Sequence, residues 1–181
     1  MKFVVIYGAS GIGKESIARE LAHRNDWNVF PQHLAFDVSC AAVGFGNDGF
    51  EKYQLKICLE AFRTMINRQI EGVVFTFCYV HPTSNFFMEG LLGLLREYEI
   101  EAEFIRISCS LEEHIHRVTS AGRKNTNKIQ SKEYLQDYLK RFNFSVPIPG
   151  VETFELDTTR LSIDESAIAI EERLKPRSRT T

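Results

Sequence analysis

An unbroken apolar run, Phe3-Val4-Val5-Ile6-Tyr7, opens directly into Gly8-Ala9-Ser10-Gly11-Ile12-Gly13-Lys14, and a helical pattern with Ile17, Ala18 and Leu21 on one face follows at once. No other feature constrains the fold as strongly. A run without polar alternation reads as a strand buried on both faces, and such strands belong to parallel sheets covered by helices. The glycine-rich turn between strand and helix is built for an anion. Its amides can converge on one, the helix N-terminus adds a positive dipole end, and Lys14 adds a mobile charge.

The turn meets the template G-x-x-x-x-G-K-[ST] at Gly8, Gly13 and Lys14, but Glu15 stands where a hydroxyl is usual and Ser16 comes one place later. The motif and its context point to a nucleoside triphosphate. A strand-to-helix turn in some other α/β protein is the competing reading. Gly8, Ser10, Gly11, Ile12, Gly13, Lys14, Glu15 and Ser16 are the candidate nucleotide-binding residues, with the amides of Gly11, Ile12 and Gly13 and the ammonium of Lys14 on the β and γ phosphates. A carboxylate in the first helical turn also favours the helix dipole, which gives Glu15 a plain structural role as well.

The same alternation continues along the chain. Strands are expected over residues 2–7, 27–31, 72–79 (GVVFTFCY), 103–108 and 152–156. Helices are expected over 14–23, 33–43, 51–69, 85–98, 111–120, 132–142 and 164–174, with Ser110 and Glu113 spaced as a capping box and Ser162 as a helix start. Five parallel strands joined by helices make a three-layer α/β/α domain over residues 1–174. Residues 44–49 (GFGNDG) read as a hinge between helices, and 121–132 (AGRKNTNKIQSK) as a polar, basic loop.

With 181 residues, 44% hydrophobic and 25% charged, the chain can bury one sizeable core, and a net charge of -2 argues against bulk nucleic-acid or membrane binding. No apolar stretch reaches the roughly 18 residues of a membrane span. Cys40, Cys58, Cys78 and Cys109 form no C-x-x-C pair and read as reduced thiols of a cytoplasmic protein. The basic end, residues 175–181, reads as a frayed tail.

Taken in order, IYGASGIGKESIAREL, HLAFD, VVFTFCY, RVTSAGR and ELDTT resemble the small P-loop kinases, the adenylate-kinase-like and shikimate-kinase-like phosphotransferases, over nearly the whole chain. The resemblance implies a P-loop, nucleotide-kinase-like fold that uses ATP and Mg2+ and passes the γ-phosphoryl group to a small molecule, as a monomer or homodimer. It implies that Ser16, like the shifted hydroxyl of adenylate-kinase-like members, supports magnesium. Asp37, just past the second strand, would orient or deprotonate the acceptor, with His33 four residues earlier on the same helical face.

Arg117 and Arg123 would clamp the charge of the transition state from a lid near 121–132, with Lys124 and Lys128 beyond, because a guanidinium fork suits phosphate oxygens and a closing loop excludes water. Lys14, Asp37, Arg117 and Arg123 are thus the candidate catalytic set. Arg117 and Asp157, the latter ending the fifth strand near the expected base site, join the candidate nucleotide contacts. Tyr79, Phe86 and Phe87 are candidates for an acceptor pocket or for the core.

One departure is plain: GVVFTFCY carries no acid to hold magnesium, and Thr76 is its hydrogen-bonding side chain before Tyr79. The residues alone therefore leave three classes open: a kinase with a small acceptor, a nucleotide-dependent ATPase or switch, and a weakly catalytic nucleotide binder.

Overall fold

A computed structural model describes residues 1–120 and 129–175. Arg123, Lys124 and Lys128, most of the expected lid and the tail from 176 onward lie outside the described residues.

The elements run β1 (Lys2–Tyr7), α1 (Lys14–Asn25), β2 (Asn28–Pro31), α2 (Gln32–Ala42), α3 (Phe50–Asn67), β3 (Gly72–Phe77), α4 (Asn85–Glu97), β4 (Ala102–Ser108), α5 (Leu111–Thr119), α6 (Lys132–Arg141), β5 (Thr153–Asp157) and α7 (Ile163–Leu174). The sheet is five-stranded and parallel throughout, in the order β2-β3-β1-β4-β5. β1 lies at its centre, with Val4 opposite Val74 of β3 on one side and Glu103 of β4 on the other. The chain leaves β1 towards β2 on one flank, and β3 passes over β1 to reach β4 on the other. In open α/β sheets a crevice forms where connections diverge in this way, beyond the carboxyl ends of the strands. The glycine-rich turn stands at that point.

Alternating side chains of β1 feed two cores. Phe3, Val5 and Tyr7 pack with Phe62 of α3 and Leu91, Leu94 and Leu95 of α4. Val4 and Ile6 pack with Ile17 and Leu21 of α1 and Ala167 and Ile170 of α7. This two-faced burial is why the strands read as unbroken apolar runs. Tyr79 and Phe87 belong to the first core, while Phe86 is solvent-exposed.

The helix starts are built as their sequences suggest, with one difference. Ser162 and Glu165 form a reciprocal capping box. Ser110 accepts from the Glu113 amide, but the Glu113 carboxylate turns to Arg117 instead of closing the box. The charged partner wins because a guanidinium–carboxylate hydrogen bond is stronger than one to a neutral amide.

Gly72 starts β3 beneath the Trp27 ring, where an added Cβ would come within 2.5 Å of Trp27 Cδ2. A ring anchored beside the sheet cannot swing aside as the end of a flexible chain can. Gly72→Ala is expected to cost about 1–3 kcal/mol of stability through overpacking, measured as a lower midpoint in urea with unchanged slope. An unaltered midpoint would show that the indole has room to move.

Candidate functional site

The glycine-rich turn is a backbone object, and three glycines shape it. Gly8, Gly11 and Gly13 have φ of 143°, 93° and 102°. At Gly8 an added Cβ would stand 2.6 Å from the Ile107 carbonyl oxygen of β4, so the turn leaves β1 pressed against the neighbouring strand. Gly13 forms the left-handed N-cap of α1 with no side-chain cap, so the first amides of that helix are not claimed by a capping side chain.

Lys14 begins α1 and curls back into its own loop, where Nζ donates to the carbonyls of Gly8 (3.0 Å) and Ala9 (2.7 Å). Two further carbonyls are held from outside. His114 of α5 lies 2.9 Å from the Ser10 oxygen through Nε2, and Arg117, one turn on, donates from Nη1 to the Ile12 oxygen at 2.7 Å. A carbonyl only accepts, so His114 Nε2 carries the proton. Tyr138 of α6 closes the third side: its hydroxyl sits 3.1 Å from Cys78 Sγ past β3 and is hydrogen-bonded to the Ser10 backbone. Burial, then the neighbouring Cys78 thiol, push this phenol above its ordinary range.

The loop faces a cleft of about 1120 Å³. Ser10, Gly11, Gly13, Lys14, Glu15 and Ser16 form one wall. Gln32, His33, Phe36, Asp37 and Cys40 of α2 form the other, and Thr76 and Cys78 the floor at the end of β3. Gln32 ties wall to floor by accepting from the Cys78 amide at 3.0 Å. His33 and Asp37 share the cleft face of α2, as their four-residue spacing requires.

Glu15 also lines the cleft, but its carboxylate is engaged by Arg19 at 2.6 Å, and His33 Nδ1 lies 3.7 Å away. Arg19 thus offsets the charge that would otherwise oppose an anion here. Thr76 is nearly buried, whereas Ser16 and Asp37 are exposed.

The structure places two other residues differently from the expectation. Arg117 lies on α5, within the helix expected over 111–120, but its side chain turns beneath the loop. Its guanidinium is taken up by Glu113 Oε1 at 2.7 Å, Thr158 Oγ1 at 2.9 Å and the Thr158 carbonyl at 2.6 Å, besides the Ile12 oxygen. It ties the underside of the loop to the β5–α7 turn. Asp157 is not among the cleft-lining residues. Its Oδ1 accepts from the Thr159 amide at 2.8 Å and from the Thr159 hydroxyl, which hold the carboxyl below its usual range, with Arg117 and Arg160 contributing less. Thr159 in turn accepts from the Ser110 amide, at the start of α5.

Two residues of this scaffold go unsignalled by motif, His114 and Tyr138, and Thr158 lies in ELDTT without a role assigned to it. A signal for His114 exists. It occupies an apolar position on α5, one turn before buried Val118, and is itself 4% exposed. A polar ring in such a stripe must have a partner.

No family model matches the chain, and no curated protein matches its sequence. Solved structures do. A sugar kinase from a Janibacter species is 17% identical with a TM-score of 0.68, over 96% of this chain and 94% of that one. A gluconokinase from Sinorhizobium meliloti is 18% identical with a TM-score of 0.61, over 96% and 93%. The Mycobacterium tuberculosis APS kinase, solved with AMPPNP and APS, is 16% identical with a TM-score of 0.61, over 97% and 98%. At such identities the likeness is one of architecture: the chain has the three-layer α/β/α fold of the small P-loop kinases.

Proposed function

We propose that this protein is an ATP-dependent phosphotransferase that moves the γ-phosphoryl group to a hydroxyl of a small molecule. The observation that carries the reading is the cleft between loop and α2. Across it the glycine-rich turn, which we read as a cradle for phosphate oxygens, faces the helix bearing Asp37 and His33. The amides of Gly11, Ile12 and Gly13, with Lys14, bind the β and γ phosphates; Gly8 and Ser10 shape the turn. Asp37 orients the acceptor hydroxyl and takes its proton as oxygen attacks phosphorus and the bond to the ADP leaving oxygen breaks. Arg117 supports the loop from beneath, and Arg123 lies outside the described residues.

Magnesium fits this site only in a particular way. It takes oxygen ligands and keeps several waters. Among the described residues no group of three or more His, Cys, Asp or Glu side chains stands ready for a metal. Ser16 is the residue that would hold an ion carried in on the phosphates, with Thr76 on the floor of the cleft. Such an ion, when bound, neutralises charge on the phosphate oxygens.

The acceptor is sought by ADP release. Full-length protein with ATP and Mg2+ is screened against neutral polyols, carboxylated cyclic alcohols and nucleoside monophosphates. At least one class is expected to raise ADP release well above the ATP-only rate. ATP binding without any stimulated release would favour the switch or non-catalytic readings; no ATP binding, with or without Mg2+, would overturn the cradle itself.

A further inference from the structure

The residue that deepens this reading stands behind the loop. We infer that His114 is a positioning residue for the phosphate cradle: by holding the Ser10 carbonyl it turns the Gly11 amide towards the cleft and so sets affinity for the β and γ phosphates. The inference rests on the proposed nucleotide site.

The reasoning is peptide geometry. In a trans peptide the C=O of one residue and the N–H of the next point in opposite directions. Fixing the Ser10 oxygen on the α5 side therefore aims the Gly11 N–H the other way, and Gly11 lines the cleft. Arg117 does the same for the next glycine, since its bond to the Ile12 oxygen aims the Gly13 N–H.

These two peptides need holding because of the residues that follow them. A peptide flip changes ψ of the first residue and φ of the second. Where the second is glycine, both signs of φ are accessible, and the flip costs little backbone strain. A flipped unit would present a carbonyl dipole to the phosphate in place of an amide, replacing attraction by repulsion. The glycines that allow φ of 93° and 102° also make the loop prone to this error, and α5 supplies the correction.

The support is itself fixed. α5 is capped by Ser110, whose amide is bound to Thr159, and Arg117 is locked to Thr158. His114 is 4% exposed, so its ring has little room to drift. Lys14 grips Gly8 and Ala9 from within the curl while His114 and Arg117 grip Ser10 and Ile12 from outside, which braces the turn from two directions.

The test compares His114→Gln, whose terminal amide can reach where Nε2 reaches, with His114→Asn, whose amide falls one methylene short, and with His114→Leu, which has no donor. Calorimetry measures Kd for ATP and for AMP, and thermal melts report stability. His114→Asn and His114→Leu are expected to weaken ATP binding about tenfold, with AMP binding within twofold of the parent and His114→Gln restoring most of the ATP affinity. If His114→Leu does not fold, the Gln and Asn pair decides alone. Equal ATP affinity in parent, Gln and Asn proteins, whatever happens to the melting temperature, would overturn the positioning role. If the parent protein binds no ATP, the nucleotide reading fails first, and that result is distinct from both.

Discussion

Lys14→Met is expected to lower kcat/KM for ATP by at least about a hundredfold, roughly 3 kcal/mol of lost transition-state stabilisation. Two losses combine in this one substitution. In the proposed site the ammonium is the mobile cation of the cradle, so its removal would leave phosphate oxygens facing amide dipoles alone. It also donates to the Gly8 and Ala9 carbonyls, and those two dipoles would then point into the loop with no donor from this side chain. Methionine matches the length of the stem and packs similarly, so stability should change little. The check is a calorimetric ATP titration beside a melt. Intact ATP affinity and turnover in a folded Lys14→Met protein would remove the basis for the proposed chemistry.

Much of this architecture is legible from residue order, because the rules that write it are local. β1 and its loop follow from an apolar run meeting glycines, and the sheet type follows from the absence of alternation in GVVFTFCY. Where the reading of β3 runs on to Tyr79, the strand ends at Phe77: the Cys78 amide turns to Gln32 Oε1 and the Val80 amide to Ser84 Oγ. Both partners are side chains, which an apolar pattern cannot reveal. The helical spacing that puts His33 and Asp37 on one face is also local, and the cleft confirms that shared face.

Arg117 shows where such reading stops. Its composition and place suit a phosphate clamp equally well as a brace, and the decision lies with the Ile12 and Thr158 oxygens, which are distant in the chain and brought near only by the fold. Asp157 is similar: an Asp-Thr-Thr turn can satisfy itself locally, and here Thr159 engages the carboxylate from within the turn. His114 lies between these cases. Its apolar register demands a partner, but nothing in the order of residues says that the partner is the glycine-rich loop.

Asp37→Asn separates binding from transfer, which Lys14→Met cannot do. The substitution keeps shape and removes the charge and the basic oxygen. Asp37 is exposed on α2, across the cleft from the loop, so neither the fold nor the cradle should register the change. ATP affinity is expected within about threefold of the parent. Acceptor-dependent ADP release is expected to fall about 10²–10⁴-fold, the range typical for loss of a general base. His33 shares the face but has the Glu15 carboxylate 3.7 Å from its ring, and Glu15 is engaged by Arg19. With Asp37 as the base, His33→Gln should lower release far less than Asp37→Asn. The reverse ranking would move the base to His33 and keep the cleft as the site. Full activity in both variants would mean that the acceptor hydroxyl loses its proton elsewhere, and would detach α2 from the chemistry proposed for it.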